Sequence, residues 1–322
     1  MKKALVTFVI GDQYKKSFEL FRPSVLAYCE RHGWDFKELS EPLDTDKTAD
    51  ALYIQKLLIV DQPWSKEYEY IAWIDSDIWI TDTCPDIELP PPGLIGLTKE
   101  CIVNDSIHSL ICQRRGWVGD GSESECDVYI NAGLMVFSVN DANYLRNVYN
   151  DVKSYIATKS NVDINGNKPN HDQQYLSRRF WRDDKIHLMD WRYNVVWPNY
   201  RCAFVEPYES TQQLIKPMCT LMELAFMVHF TDREDIQILD VYKRIRQLHG
   251  KDVIVPKENV DIVFTEFFRL LKFRNIYIDS DQKPMCPMNQ FGYVYPKNII
   301  RWNNQPGLTL KDVDALINNA SS

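Results

Sequence analysis

Two carboxylates spaced i, i+2 interrupt an apolar run at Trp73-Ile74-Asp75-Ser76-Asp77-Ile78-Trp79. Charge placed at the end of a hydrophobic segment is costly unless something pairs with it. Hard oxygen donors of this kind select Mg2+ or Mn2+. The tripeptide Asp-x-Asp also suits a plain solvated turn. Its position directly after the buried run Tyr70-Ile71-Ala72-Trp73-Ile74 favours the metal. Ligands of open α/β sheets bind outside the carboxyl ends of strands, which is where this pair falls.

Other residues are chemically capable but less specific. Asp172 follows the helix-breaking stretch Lys168-Pro169-Asn170-His171, and Tyr175, Leu176 and Phe180 after it are spaced to pack inward. It reads as a helix N-cap, where backbone N–H groups keep a carboxylate ionised. His171 has no assigned role. Trp117 lies among Gly116, Gly119 and Gly121 and suits either a closing lid or a surface clamp. Arg114-Arg115 reads as a solvated charge pair rather than a ligand clamp, and Trp181, Trp191 and Trp197 as core rather than sugar platforms, with both alternatives open.

The elements that must position these groups follow from periodicity. Residues 4–10 form a short continuous apolar run ending at Gly11-Asp12, the pattern of a strand covered on both faces. Phe18, Phe21, Val25, Leu26 and Cys29 recur at helical spacing and predict one helix closed by Gly33. A second strand opens at Trp34-Asp35-Phe36, and a second amphipathic helix fits Ala51, Ile54, Leu57 and Leu58. The aspartate strand comes next. Residues 89–98, with Pro90-Pro91-Pro92-Gly93, read as a turn-rich connection, and 99–127 as a long irregular segment. Residues 133–137 predict a further strand, and Leu145, Tyr149, Val152 and Ile156 a helix. Alternating strands and helices imply an α/β domain with a mainly parallel sheet flanked by helices. That domain is expected over residues 1–250, with 251–322, rich in proline, as a C-terminal extension or subdomain.

Bulk properties exclude several classes. The chain has 322 residues, 45% hydrophobic and 25% charged, which is ordinary globular composition. A net charge of −8 makes a nucleic-acid partner an unpromising reading. Aromatics at 12%, with 9 Trp and 17 Tyr, suit a core and also suit stacking on sugar rings. The first strand lacks a following Gly-x-Gly-x-x-Gly turn, against a nicotinamide enzyme. No run of about 18 apolar residues appears, so no integral membrane segment is expected. The apolar run behind Met1-Lys2-Lys3 is shorter than a secretory leader requires, so none is expected. The eight cysteines form no Cys-x-x-Cys pair. Together these predict a cytoplasmic protein with reduced thiols.

Several segments, in order, resemble glycosyltransferases of the A-type (GT-A) nucleotide-diphospho-sugar transferase fold, especially families 8 and 34. Thr7 and Gly11 resemble their nucleotide-binding edge. Lys56 matches a lysine in the helix before the aspartate strand. Residues 73–77, with Asp75, Ser76 and Asp77, resemble the metal motif. Asn131-Ala132-Gly133, running into residues 134–137, resembles the Asn-Ala-Gly strand. His171-Asp172-Gln173-Gln174 resembles the Asp-Gln element. Val228-His229-Phe230 resembles the late strand that supplies a histidine ligand. The resemblance covers roughly residues 3–245. It departs after His229, where the glycine and lysine usual in family 8 are missing; Arg233 is the candidate to reach the donor diphosphate.

The resemblance implies a metal-dependent transferase using a nucleotide-sugar donor, a UDP-sugar by family likeness, and a saccharide or glycoconjugate acceptor. Asp75, Asp77 and His229 would hold Mn2+ or Mg2+. Asn131, Asp172 and Gln173 would face the sugar, and Thr7, Gly11, Lys56, Ser76, Ala132, Gly133 and Arg233 would line the donor. Two other readings compete. A nucleotidyltransferase or pyrophosphorylase wants a Gly-rich basic N-terminal signature that is not found. A catalytically silent carbohydrate-binding protein on the same scaffold would not need Asp75, Asp77 and His229 intact.

Overall fold

The computed structural model describes residues 1–45, 49–99, 128, 130–158, 172–196, 222 and 225–230. The expected extension over 251–322, Arg233, His171, Trp117, Arg114-Arg115 and Trp197 all lie outside the described residues.

Nine strands form among them: β1 (Lys3–Phe8), β2 (Trp34–Leu39), β3 (Tyr70–Ile74), β4 (Ile78–Ile80), β5 (Ile95–Lys99), β6 (Ile130–Ser138), β7 (Ile186–Leu188), β8 (Val195–Val196) and β9 (Met227–His229). The helices are α1 (Asp12–Phe18), α2 (Arg22–His32), α3 (Ala49–Ile54), α4 (Ala142–Thr158) and α5 (Gln173–Arg182). A six-stranded sheet runs in the order β2-β1-β3-β6-β5-β7, and a three-stranded sheet in the order β4-β9-β8. In the large sheet β1 is parallel to β2 and β3, and β7 is parallel to β5. Only β6 opposes its neighbours, β3 and β5. The chain is therefore a mixed α/β protein with a mainly parallel central sheet flanked by helices, the architecture expected from the sequence. None of the described helices is long and apolar enough to cross a membrane.

Both faces of the central strands are covered, which is why they read as continuous apolar runs rather than alternating ones. Leu5, Ala72, Ile74, Leu134 and Val136 pack with Phe18 of α1, Phe21 in the turn before α2, Val25 and Tyr28 of α2, and with the small sheet. Ala4, Val6, Ile71, Trp73, Met135 and Phe137 pack with Ile54, Leu57, Leu145, Val148, Leu176 and Phe180 on the other side. Each of the larger aliphatic and Phe side chains among them contributes roughly 1.5–3 kcal/mol.

Three expectations change. The single helix expected over 18–29 is two, α1 and α2. Pro23 lies in the first turn of α2, where its missing N–H costs nothing; inside a continuous helix it would clash. Leu26 consequently faces outward, 46% exposed. Gly33 does close α2, in the left-handed conformation at φ 66°, its N–H bonded to the Cys29 carbonyl. The second helix stops at Ile54 and continues as 3-10 turns over Gln55–Asp61, with residues 55–60 all buried. One face of an α-helix does not bury six consecutive residues; the tighter winding brings Lys56 inward with its neighbours. Finally, the connection expected over 89–98 contains β5, a sheet strand between β6 and β7. Cys29 and Cys84 are free, buried thiols.

Candidate functional site

The aspartate pair lies where strand register sends it. β3 ends at Ile74, and Asp75 begins the turn that leads into β4. β6 is antiparallel to β3 from Ser138 to Leu134, so its first residues overhang the carboxyl end of β3. Asp75 N–H donates to the Gly133 carbonyl at 2.8 Å across that overhang. β4 then pairs antiparallel with β9, setting Ile78 opposite His229. Phe230 N–H donates to the Asp77 carbonyl at 2.9 Å and closes the turn. Ser76 sits half-buried in it.

These pairings bring Asp75, Asp77 and His229 together. One ligand atom from each lies within 4.8 Å of the others. His229 Nε2 is 3.2 Å from Asp77 Oδ1 and 3.5 Å from Asp75 Oδ2. Asp75 Oδ1 accepts from the Trp73 indole at 2.9 Å, which turns Oδ2 toward the histidine. The enclosure of Asp75 pushes its carboxyl above the usual range; Lys56 and His229 oppose that, while Asp77 and Asp172 add to it. A carboxylate so placed gains from a cation. Two carboxylates and an imidazole are a donor set that Mn2+ accepts, and Mg2+ through its oxygens.

A second cluster adjoins the first. Lys56, 4% exposed, donates to the Ala132 carbonyl at 3.1 Å and pairs with Asp172 Oδ2 at 2.7 Å. Burial alone would lower its pKa, but the carboxylates of Asp172 and Asp75 outweigh that and raise it, so the ammonium stays charged. Asp172 occupies the N-cap position of α5 but makes no side-chain cap. Its backbone is α-helical at φ −114°, ψ −35°, rather than extended, so the carboxylate does not fold back over the first turn. Lys56, rather than the helix N–H groups, compensates its charge.

The Asn-Ala-Gly segment is bulged. The register between β5 and β6 jumps from Leu97 opposite Met135 to Thr98 opposite Asn131. Bulges re-aim side chains beside functional sites. Here Asn131 Oδ1 accepts from Gly133 N–H at 2.8 Å, and its amide donates to Gln173 Oε1 at 3.4 Å. Asn131 is 2% exposed, its side chain taken up by these contacts. Gly133 is required by space. A Cβ there would meet His229 Cε1 at 2.3 Å and Nδ1 at 2.5 Å.

Thr7 is fully buried near the end of β1, one residue past the Val6–Trp73 pairing, and its hydroxyl has no hydrogen-bond partner among the described residues. Gly11 precedes α1 at φ 90°, a conformation glycine supplies without strain. Two residues escaped the sequence reading. Asn194, 2% exposed, joins His229 Nδ1 at 3.1 Å to Asn131 Oδ1 at 2.8 Å. Tyr53 on α3 is 43% exposed, its phenol pushed up to about 12 by burial, by Tyr14 and then by Asp172 and Asp75. Neither lies in a motif; both are recognisable only through spatial neighbours.

Among solved structures, the chain is similar to a glycosyltransferase involved in the glycosylation of the major capsid of PBCV-1. The two share 17% identity over 76% of this chain and 100% of that one, with a TM-score of 0.47. No family model and no curated protein matches.

Proposed function

We propose that the chain is a metal-dependent glycosyltransferase that moves a sugar from a nucleotide-diphosphate sugar to a hydroxyl of a saccharide or glycoconjugate. One observation carries the reading: the Asp75–Asp77 pair and His229, far from it in sequence, converge beyond the carboxyl end of β3 with ligand atoms within 4.8 Å. A divalent cation held there supplies the positive charge that a departing nucleoside diphosphate needs. The resemblance of the ordered motifs to families 8 and 34 favours uridine as the base and Mn2+ as the ion.

The chain's own residues divide the remaining work. Thr7 and Gly11 edge the nucleotide, with Arg233 proposed at the diphosphate. Lys56 and Asp172 form a matched pair beside the proposed metal ligands, and the ion pair fixes the position of the Asp172 carboxylate. A fixed carboxylate there stabilises positive charge developing on the sugar ring. Gln173 offers its amide to sugar hydroxyls, contacts that discriminate strongly among sugars. Asn131 is already engaged with Gly133, Gln173 and Asn194, so it acts through them.

The test is release of free nucleoside diphosphate from a panel of nucleotide sugars with Mn2+. Release is expected from at least one donor, abolished by EDTA and reduced at least about 100-fold in a folded Asp77→Ala variant, the typical worth of one well-placed electrostatic contact. Release undiminished in EDTA refutes the metal role. Pyrophosphate as the product favours a nucleotidyltransferase, and no product from any donor favours a silent binding protein.

A further inference from the structure

The ring nitrogens of His229 are not equivalent, and the hydrogen bonds around them decide which one carries the proton. A backbone N–H can only donate, so Gly133 N–H at 2.8 Å identifies the Asn131 atom it meets as the carbonyl oxygen Oδ1. That same oxygen lies 2.8 Å from the amide end of Asn194. An oxygen facing it would repel, so the NH2 of Asn194 points at Asn131 and its Oδ1 points the other way. Asn194 Oδ1 lies 3.1 Å from His229 Nδ1, and an amide oxygen can only accept. Nδ1 must therefore carry a hydrogen. In the neutral ring this leaves the lone pair on Nε2, the atom that faces Asp77 Oδ1 and Asp75 Oδ2.

We propose that Asn194 is a positioning residue that fixes the tautomer and orientation of His229, so that the Nε2 lone pair is presented to the space shared with Asp75 and Asp77. The relay starts at a β6 backbone amide and ends at the proposed ligand, and all three side chains in it are at most 4% exposed. Asn194 is itself held from two sides. It ends the 3-10 turn Trp191–Asn194, which Asp190 caps at Arg192 N–H and the Arg192 carbonyl ties to Phe226 N–H. It leads directly into β8, which pairs with β9 and sets Val196 beside His229. Metal-bound histidines commonly donate their second N–H to such an acceptor, and the acceptor sets the ring's direction. The geometry stands without a metal; its consequence for affinity rests on the metal reading above.

The experiment uses the full chain labelled with 15N-histidine, and His229→Gln assigns the signal. Long-range 1H–15N correlation, recorded where the ring is neutral, reads which nitrogen bears the proton. Free Mn2+ is measured in parallel by electron paramagnetic resonance, and thermal unfolding without metal scores the fold. Wild type is expected to carry the proton on Nδ1. Folded Asn194→Leu, which removes the acceptor, should lose that preference and bind Mn2+ about 10–100-fold more weakly. A wild-type ring protonated on Nε2 overturns the proposal whether or not the variants fold. So does folded Asn194→Leu with wild-type Mn2+ affinity. A wild-type ring protonated on Nδ1 that takes up no Mn2+ refutes the metal reading and leaves the relay standing.

Discussion

Gly133→Ala should damage the candidate site out of proportion to one methyl group. The new Cβ would lie 2.3 Å from His229 Cε1, 2.5 Å from Nδ1 and 2.8 Å from Asn131 Oδ1. Ordinary contact begins near 3.4 Å, so the ring must retreat by about 1.1 Å. It has little room to do so. Nδ1 is tied to Asn194, and the β9 backbone is paired to β4 at Ile78. Metal sites tolerate roughly 0.2 Å in ligand distance. Overpacking of this kind costs about 1–3 kcal/mol of stability, and a ring so displaced should lower Mn2+ affinity at least about tenfold. Chemical denaturation and Mn2+ titration measure the two losses. The decisive comparison is a double-mutant cycle. In His229→Ala the two closest of these contacts are gone and only Asn131 Oδ1 still presses on the methyl, so Gly133→Ala/His229→Ala should regain part of the stability relative to the sum of the single variants without regaining the metal. Additive losses, or a Gly133→Ala protein with wild-type stability and Mn2+ affinity, refute the argument that His229 requires the glycine.

Asp172→Asn should be costly, because Lys56 would keep a buried charge without its carboxylate partner. The loss should exceed about 2 kcal/mol, approaching the roughly 3–5 kcal/mol of a broken buried pair; a loss below about 1 kcal/mol in denaturation would restore the simple cap. Acid should release a separate part of the fold. Burial raises the Asp86 carboxyl, but the bonds from Lys3 at 2.5 Å and the Trp34 indole at 2.7 Å outweigh it, leaving the pKa lowered. A depressed pKa contributes stability above the unfolded value near about 3.9, lost as pH falls through the folded value. Acid unfolding followed by Trp fluorescence should therefore be less steep in Asp86→Asn, and an unchanged acid limb counts against the pairing.

The strands were legible because burying both faces of a sheet demands continuous apolar runs, as in residues 4–10 and 70–74. The Asp75–Asp77 pair was legible for a related reason: charge abutting such a run stands out locally. Gly33 announced its helix end because a left-handed backbone favours glycine. What sequence order alone missed were features decided by packing. Pro23 is the exception, a local signal that the apolar spacing overrode: it splits what spacing showed as one helix. The burial of residues 55–60 selects 3-10 winding over an α-helix. β5 is short, and only its neighbours β6 and β7 make it a strand. Asp172 looked like a cap and became the partner of Lys56, because the pairing depends on two elements meeting. Asn194 belongs to no spacing pattern, since its role is to join side chains from β6 and β9. The sequence by itself determined which segments must be buried and where uncompensated charge would gather. Tertiary structure alone decided which distant atoms meet that charge, because hydrogen bonds and ligand distances are set by register across strands, and periodicity carries no information about register between segments far apart in the chain.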